Sequence, residues 1–112
     1  MERVTRGDVC LVAGGPDYSG KPRPAIVVQD DRFDLTSSLT ICPLTSNPTE
    51  APLLRPELAP SERNGLRAPC RMMIDKLTTV RRTKIGARIG RLDDADISRM
   101  NRAMVVFLGL AG

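Results

Sequence analysis

Apolar residues in this chain come in short runs broken by glycine, proline and acidic residues, and only the last part carries a helical stripe. Asp8 to Val12 is an apolar, partly β-branched run closed by Gly14, Gly15 and Pro16, which predicts a first strand and then a loop. The loop runs to about Arg23 through Asp17, Ser19, Gly20, Lys21 and Pro22, so it is expected to be exposed and mobile. Pro24 to Gln29 reads as a buried strand with Pro24 at its first position, where a missing N–H is tolerated. Arg23 then stands at a loop-to-strand junction. An acidic turn at Asp30 and Asp31 precedes a third strand, Ser38 to Leu44, closed by the turn formers Thr45, Ser46, Asn47 and Pro48.

Between residues 49 and 69, Pro52, Pro56, Pro60 and Pro69 exclude a helix of any length and leave room for one edge strand around Leu53 and Leu54. Cys70 to Leu77 reads as another strand, with Arg71, Met73 and Asp75 on one face and Met72 and Ile74 on the other. Thr78 to Val80 continues it, and Ile85-Gly86 and Ile89-Gly90 suggest tight bends near a final short strand. Asp93 or Asp94 is a good helix cap, followed by Ile97, Met100, Met104, Phe107 and Leu108 at helical spacing, a stripe expected to pack on the sheet, with Arg99 and Arg102 toward solvent. No βαβ spacing is present. The pattern predicts a mainly β fold, a small, partly closed antiparallel barrel with a C-terminal helix.

The length, 112 residues, fits a single domain over 1–112 with a single apolar core. With three aromatics (Tyr18, Phe33, Phe107) and no Trp, core filling falls to Val, Ile, Leu and Met. Net charge is +4, and Arg63 to Arg91 holds nine basic residues against one acid, Asp75. Such clustering suits a polyanion and equally suits a solvated face. Cys10, Cys42 and Cys70 are an odd, widely spaced set without CxxC, read as reduced thiols, with Cys10 and Cys42 in the core. No apolar stretch approaches the roughly 20 residues of a membrane span, and a cytoplasmic location is expected.

The absence of histidine changes the chemistry most. It excludes a Ser-His-Asp triad and a ribonuclease built on paired histidines. No phosphate-binding glycine loop is present, so no nucleotide cofactor is expected. The acids at Asp93, Asp94 and Asp96 are explained by a helix start, so no metal is expected either. Arginine, hydroxyls and one carboxylate remain, a set that binds a phosphodiester and stabilises charge growing on its oxygens. RNA needs little more, because its own 2′-hydroxyl can be the nucleophile.

Six ordered blocks resemble the MazF/PemK toxin family over nearly the whole chain. Gly7-Asp8-Val9 is similar to the opening G-[DE]-[IV], Arg23-Pro24-Ala25-Ile26-Val27-Val28 to R-P-A-[VI]-V-[VL], and Pro43-Leu44-Thr45-Ser46 to P-[LVI]-T-S. Gly65-Leu66, then Asp75-Lys76-Leu77-Thr78-Thr79-Val80 and Ile89-Gly90-Arg91-Leu92, resemble the G-L, D-Q-[IVL]-R-T-[IV] and I-G-x-L blocks. The resemblance implies an SH3-like barrel of the PemK/CcdB kind, a homodimer, and a cognate antitoxin that covers the RNA groove. It implies metal-independent, sequence-specific cleavage of single-stranded mRNA to a 2′,3′-cyclic phosphate and a 5′-hydroxyl.

Position by position, Arg23 matches the family's catalytic arginine, Thr45 its catalytic threonine or serine, and Asp75 a position that some members use as a base. Arginine's high pKa favours stabilising the phosphorane over donating a proton. Lys21, Ser46, Arg71, Lys76 and Arg81 are the candidate substrate-binding residues. Lys76 replaces the family's glutamine, Cys70 a common serine, and Met73 an arginine of some members. Competing readings are a barrel toxin that binds a protein such as gyrase without cutting RNA, and a basic nucleic-acid-binding module.

Overall fold

In the computed structural model, residues 3–13, 21–48 and 50–110 are described, and most of the loop expected before Arg23, residues 14–20, lies outside them. The strands are β1 (Asp8–Val12), β2 (Arg23–Val27), β3 (Ser38–Thr45), β4 (Glu57–Leu58), β5 (Cys70–Met72), β6 (Thr78–Arg81) and β7 (Ile85–Arg91), followed by α1 (Asp94–Phe107). They pair antiparallel in the order β4-β5-β3-β2-β1-β7, with β6 also on β3, to give a half-barrel. No described helix is long and apolar enough to cross a membrane.

Period-two alternation divides the apolar residues between the two faces of the sheet. Val9 stands opposite Ile26, which stands opposite Cys42, and all three enter one cluster with Leu58, Met72, Ile74, Leu92 and Met100. Their chain neighbours Cys10, Val12, Ala25, Val27 and Ile41 enter the other, with Leu39. Val80 of β6 and Ile85 of β7 pack on this second cluster, so the one-turn 3-10 helix Arg82–Lys84 between them turns the corner of the barrel.

α1 begins as expected: the Asp93 carboxylate accepts from the Asp96 N–H at 2.8 Å, satisfying one of the helix's free donors. Met100 is fully buried, and Ile97, Ala103 and Met104 pack beside it on the first cluster. The stripe leaves the sheet before its end, because Phe107 and Leu108 are 43% and 54% exposed.

Three other sequence expectations change. Leu53 and Leu54 are exposed in a turn, and the edge strand is at Glu57 and Leu58, where the Pro56 carbonyl accepts from the Met72 N–H at 2.8 Å. The glycines Gly86 and Gly90 lie within the single strand β7, where the predicted bends appear as two register shifts against β1. The strand expected over Cys70 to Leu77 is broken by a one-turn 3-10 helix at Ile74–Lys76. Its cause lies in β3, whose one edge serves two partners: β5 pairs with Leu44 and Thr45, β6 with Ser38 to Ile41. Continuing the β5 register would set residue 75 opposite Ile41, yet Thr78 stands there, so the turn takes up three extra residues. Asp75 therefore does not share a strand face with Arg71.

Two of the resembling blocks form one packing lock. Gly65, at φ +72°, lies so close to β7 that a Cβ would sit 2.0 Å from the Ile89 carbonyl oxygen. A Cβ on Gly90 would sit 2.3 Å from the Asn64 carbonyl carbon. Asn64, itself buried, fixes the facing turn by accepting from the Ser61 and Leu66 N–H groups and donating to the Ala59 carbonyl.

Candidate active site

Strand register brings the principal candidates into one row. Val12 pairs with Arg23, and Ala25 with Pro43, so continuing the β2–β3 register by two residues sets Arg23 across from Thr45. Thr45 in turn pairs with Arg71, and Arg71 with Glu57. Residues directly opposite in antiparallel strands project from the same face. The row thus crosses β2, β3, β5 and β4 on the face of the second apolar cluster, at the end of the barrel where residues 13 and 21 flank the β1–β2 connection.

Arg23 is exposed and Thr45 half-buried. The Thr45 hydroxyl accepts from the Asn47 N–H at 3.1 Å, which fixes the oxygen and leaves its proton to donate to a ligand. Arg71, with a side chain only 15% exposed, has Glu57 at 3.3 Å and Glu50 at 3.5 Å. Lys21 and Ser46 are exposed at the same end, beside β2 and after β3.

Asp75 and Lys76 occupy the turn after β5, which is tied to β3 by the Met73 N–H donating to the Pro43 carbonyl at 2.9 Å. Lys76 is exposed. Both carboxylate oxygens of Asp75 are taken by Arg55, whose Nε and Nη2 donate at 2.6 and 3.0 Å. Those hydrogen bonds hold the Asp75 carboxyl below the usual carboxylate range, opposed by partial burial. Arg81 lies elsewhere: it pairs with Ser38, seven residues along β3 from Thr45, a span of about 23 Å.

The basic stretch is not one patch. Arg91 donates to Asp8, Thr5 and the Arg6 carbonyl, anchoring the fully buried Asp8 carboxylate. Arg82 donates to the Thr36 and Phe33 carbonyls. These arginines tie distant segments together. Sequence reasoning missed Arg55, Glu50 and Glu57, which sit in the proline-interrupted stretch without periodicity and are recognisable only by their partners. Among the described residues, no group of three or more His, Cys, Asp or Glu is placed to hold a metal ion. None of the three cysteines forms a disulfide; burial above all pushes the Cys42 thiol up to about 12.

The sequence profile of the PemK-like, MazF-like toxin of type II toxin-antitoxin systems matches residues 5–108, and the chain belongs to that family. Among individual proteins, it is 49% identical over 109 residues to the probable endoribonuclease MazF of Mycolicibacterium smegmatis, covering 97% of this chain and 100% of the relative. It is 26% identical to the endoribonuclease MazF9 of Mycobacterium tuberculosis over 116 residues, 96% of this chain and 98% of that one. Solved structures with the same fold include an endoribonuclease in complex with its cognate antitoxin from a Mycobacterial species (TM-score 0.76, 21% identity, covering 97% and 96% of the two chains). The MazE-MazF complex of Deinococcus radiodurans, Form-III, is similar (TM-score 0.77, 17% identity, 96% and 98% covered).

Proposed function

We propose that this chain is the endoribonuclease toxin of a toxin-antitoxin pair, and that it cuts single-stranded mRNA at the row formed by Arg23, Thr45 and Arg71. The coarse activity follows from the family and from the 49% identical relative named an endoribonuclease. The finer reading is supported by the strand register: continued two residues past Ala25–Pro43 it brings Arg23 beside Thr45, which pairs with Arg71, at one end of the barrel. Without histidine, the least demanding route lets the substrate's 2′-hydroxyl attack its own phosphorus, leaving a 2′,3′-cyclic phosphate and a 5′-hydroxyl, with no metal or cofactor. Arg23 and Arg71 stabilise charge on the non-bridging oxygens, and Thr45 donates a hydrogen bond to one of them.

Asp75 is the carboxylate nearest in sequence to this role, and it accepts a proton only if its pair with Arg55 opens. Lys21, Ser46 and Lys76 are assigned to the RNA on either side of the cut, whereas Arg81 belongs to the far end of any path the strand takes. A homodimer gives a place to Phe107, Leu108 and Leu110, apolar side chains between 43% and 72% exposed at the end of α1. An antitoxin partner is proposed by likeness to the complexed toxins, and reduced thiols fit a cytoplasmic setting.

The test is cleavage of a long single-stranded RNA in EDTA with the 3′ ends analysed chemically. Arg23→Ala is expected to abolish cutting while preserving far-UV circular dichroism and assembly state. Intact RNA across varied sequences with wild-type protein would remove the nuclease reading in favour of a toxin that acts by binding.

A further inference from the structure

Next to Arg71 the structure has a cavity of about 450 Å³ between the 50–57 segment and α1. Its lining includes the apolar Leu53 of the segment and Val106 of α1, with Arg71 and Arg102, Glu50 and Glu57. Arg71 is shared by Glu50 and Glu57, and the other two guanidiniums at the cavity have partners outside it, Arg55 in Asp75 and Arg99 in Asp96. Arg102, exposed on α1, has no hydrogen-bond or ion-pair partner among the described residues. Two cations against two carboxylates leave the cavity nearly balanced. An acidic peptide would need surplus positive charge there. A nucleotide needs one cation for its phosphate, an apolar surface for its base, and acceptors for the base N–H groups, which carboxylates supply.

We propose that this cavity holds one unpaired nucleotide of the RNA next to the cut. Arg102 contacts its phosphate, Leu53 and Val106 face its base, and Glu57 accepts from an amino or imino group of that base. Because Arg71 belongs both to the cavity wall and to the row with Thr45, the strand passes from one to the other without a gap. Glu57 would then be a determinant of the sequence cut. The proposal rests on the nuclease reading above.

Two measurements separate the fates of the two proposals. The first is binding of wild type, Arg102→Ala and Glu57→Gln to a 2′-O-methyl oligonucleotide pool, which cannot be cleaved. The second is sequencing of the ends that each protein leaves on long RNA. Arg102→Ala is expected to weaken binding about tenfold, the loss of one charge-assisted contact, with its helix content unchanged. Glu57→Gln is expected to change the base frequency at a single position flanking the cut. Wild type that binds but does not cut overturns the nuclease reading while the binding comparison still judges the cavity. Cutting and binding by both variants that match wild type in strength and base preference overturn the cavity proposal. So does a variant that keeps both yet escapes inhibition by an acidic antitoxin peptide, which would make the cavity a peptide site.

Discussion

Loss of Arg55 is expected to destabilise the protein through the turn that carries Asp75. The two side chains are 15% and 26% exposed and meet through two charge-assisted hydrogen bonds of 2.6 and 3.0 Å. Hydrogen bonds to charged groups contribute about 1.5–3 kcal/mol, and water at the rim places this pair near the lower end. A double-mutant cycle with Arg55→Met and Asp75→Asn should therefore give a coupling of about 1.5 kcal/mol. For a domain this size, that corresponds to a Tm change of roughly 6–12 °C. With no Trp in the chain, urea unfolding is followed by far-UV circular dichroism, at one protein concentration so that any dimer contributes equally. The pH dependence has a definite sign. Because Arg55 lowers the folded pKa of Asp75, the pair's contribution is complete above about pH 4, the ordinary Asp value. It fades as pH falls through the lower folded value. Arg55→Met should lose that part of the acid sensitivity. The exposed pair Arg32–Asp30, with side chains 82% and 46% exposed, serves as the contrast and should show no measurable coupling. Coupling below about 0.5 kcal/mol for Arg55 and Asp75, the level of a surface pair, would refute the reasoning.

Three further outcomes follow from the packing. Gly90→Ala puts a Cβ against backbone atoms of Arg63 and Asn64; a cost of about 3 kcal/mol or more is expected, and unfolding within 1 kcal/mol of wild type would show that the 61–66 turn yields freely. Asp93→Ala removes the side-chain acceptor for the Asp96 N–H and should cost about 1 kcal/mol, whereas Asp94→Ala, one residue into the helix, should cost less. At pH 8 a thiol reagent should find Cys70 readily, Cys10 and Cys42 hardly at all, and all three in denaturant, since Cys10 and Cys42 are buried and Cys70 only partly so; fast labelling of Cys42 in the native protein would mean that β3 opens.

Local sequence determined a good part of this protein. Apolar runs bounded by breakers marked β1, β2 and β3 almost to their ends, and an acidic cap with a four-residue rhythm marked α1, because strands and helices impose short periods on the chain. The blocks that contain Arg23 and Thr45 singled them out as candidates. Other features depended on which strand lies beside which. The break after Met72 arises because β5 and β6 share one edge of β3, a demand invisible to periodicity. The Arg55–Asp75 pair, the carboxylates beside Arg71 and the lock between Gly65 and Gly90 join residues 14 to 25 positions apart along the chain. Contacts of that reach are set by the meeting of strand edges and loops in three dimensions, and no local period encodes them.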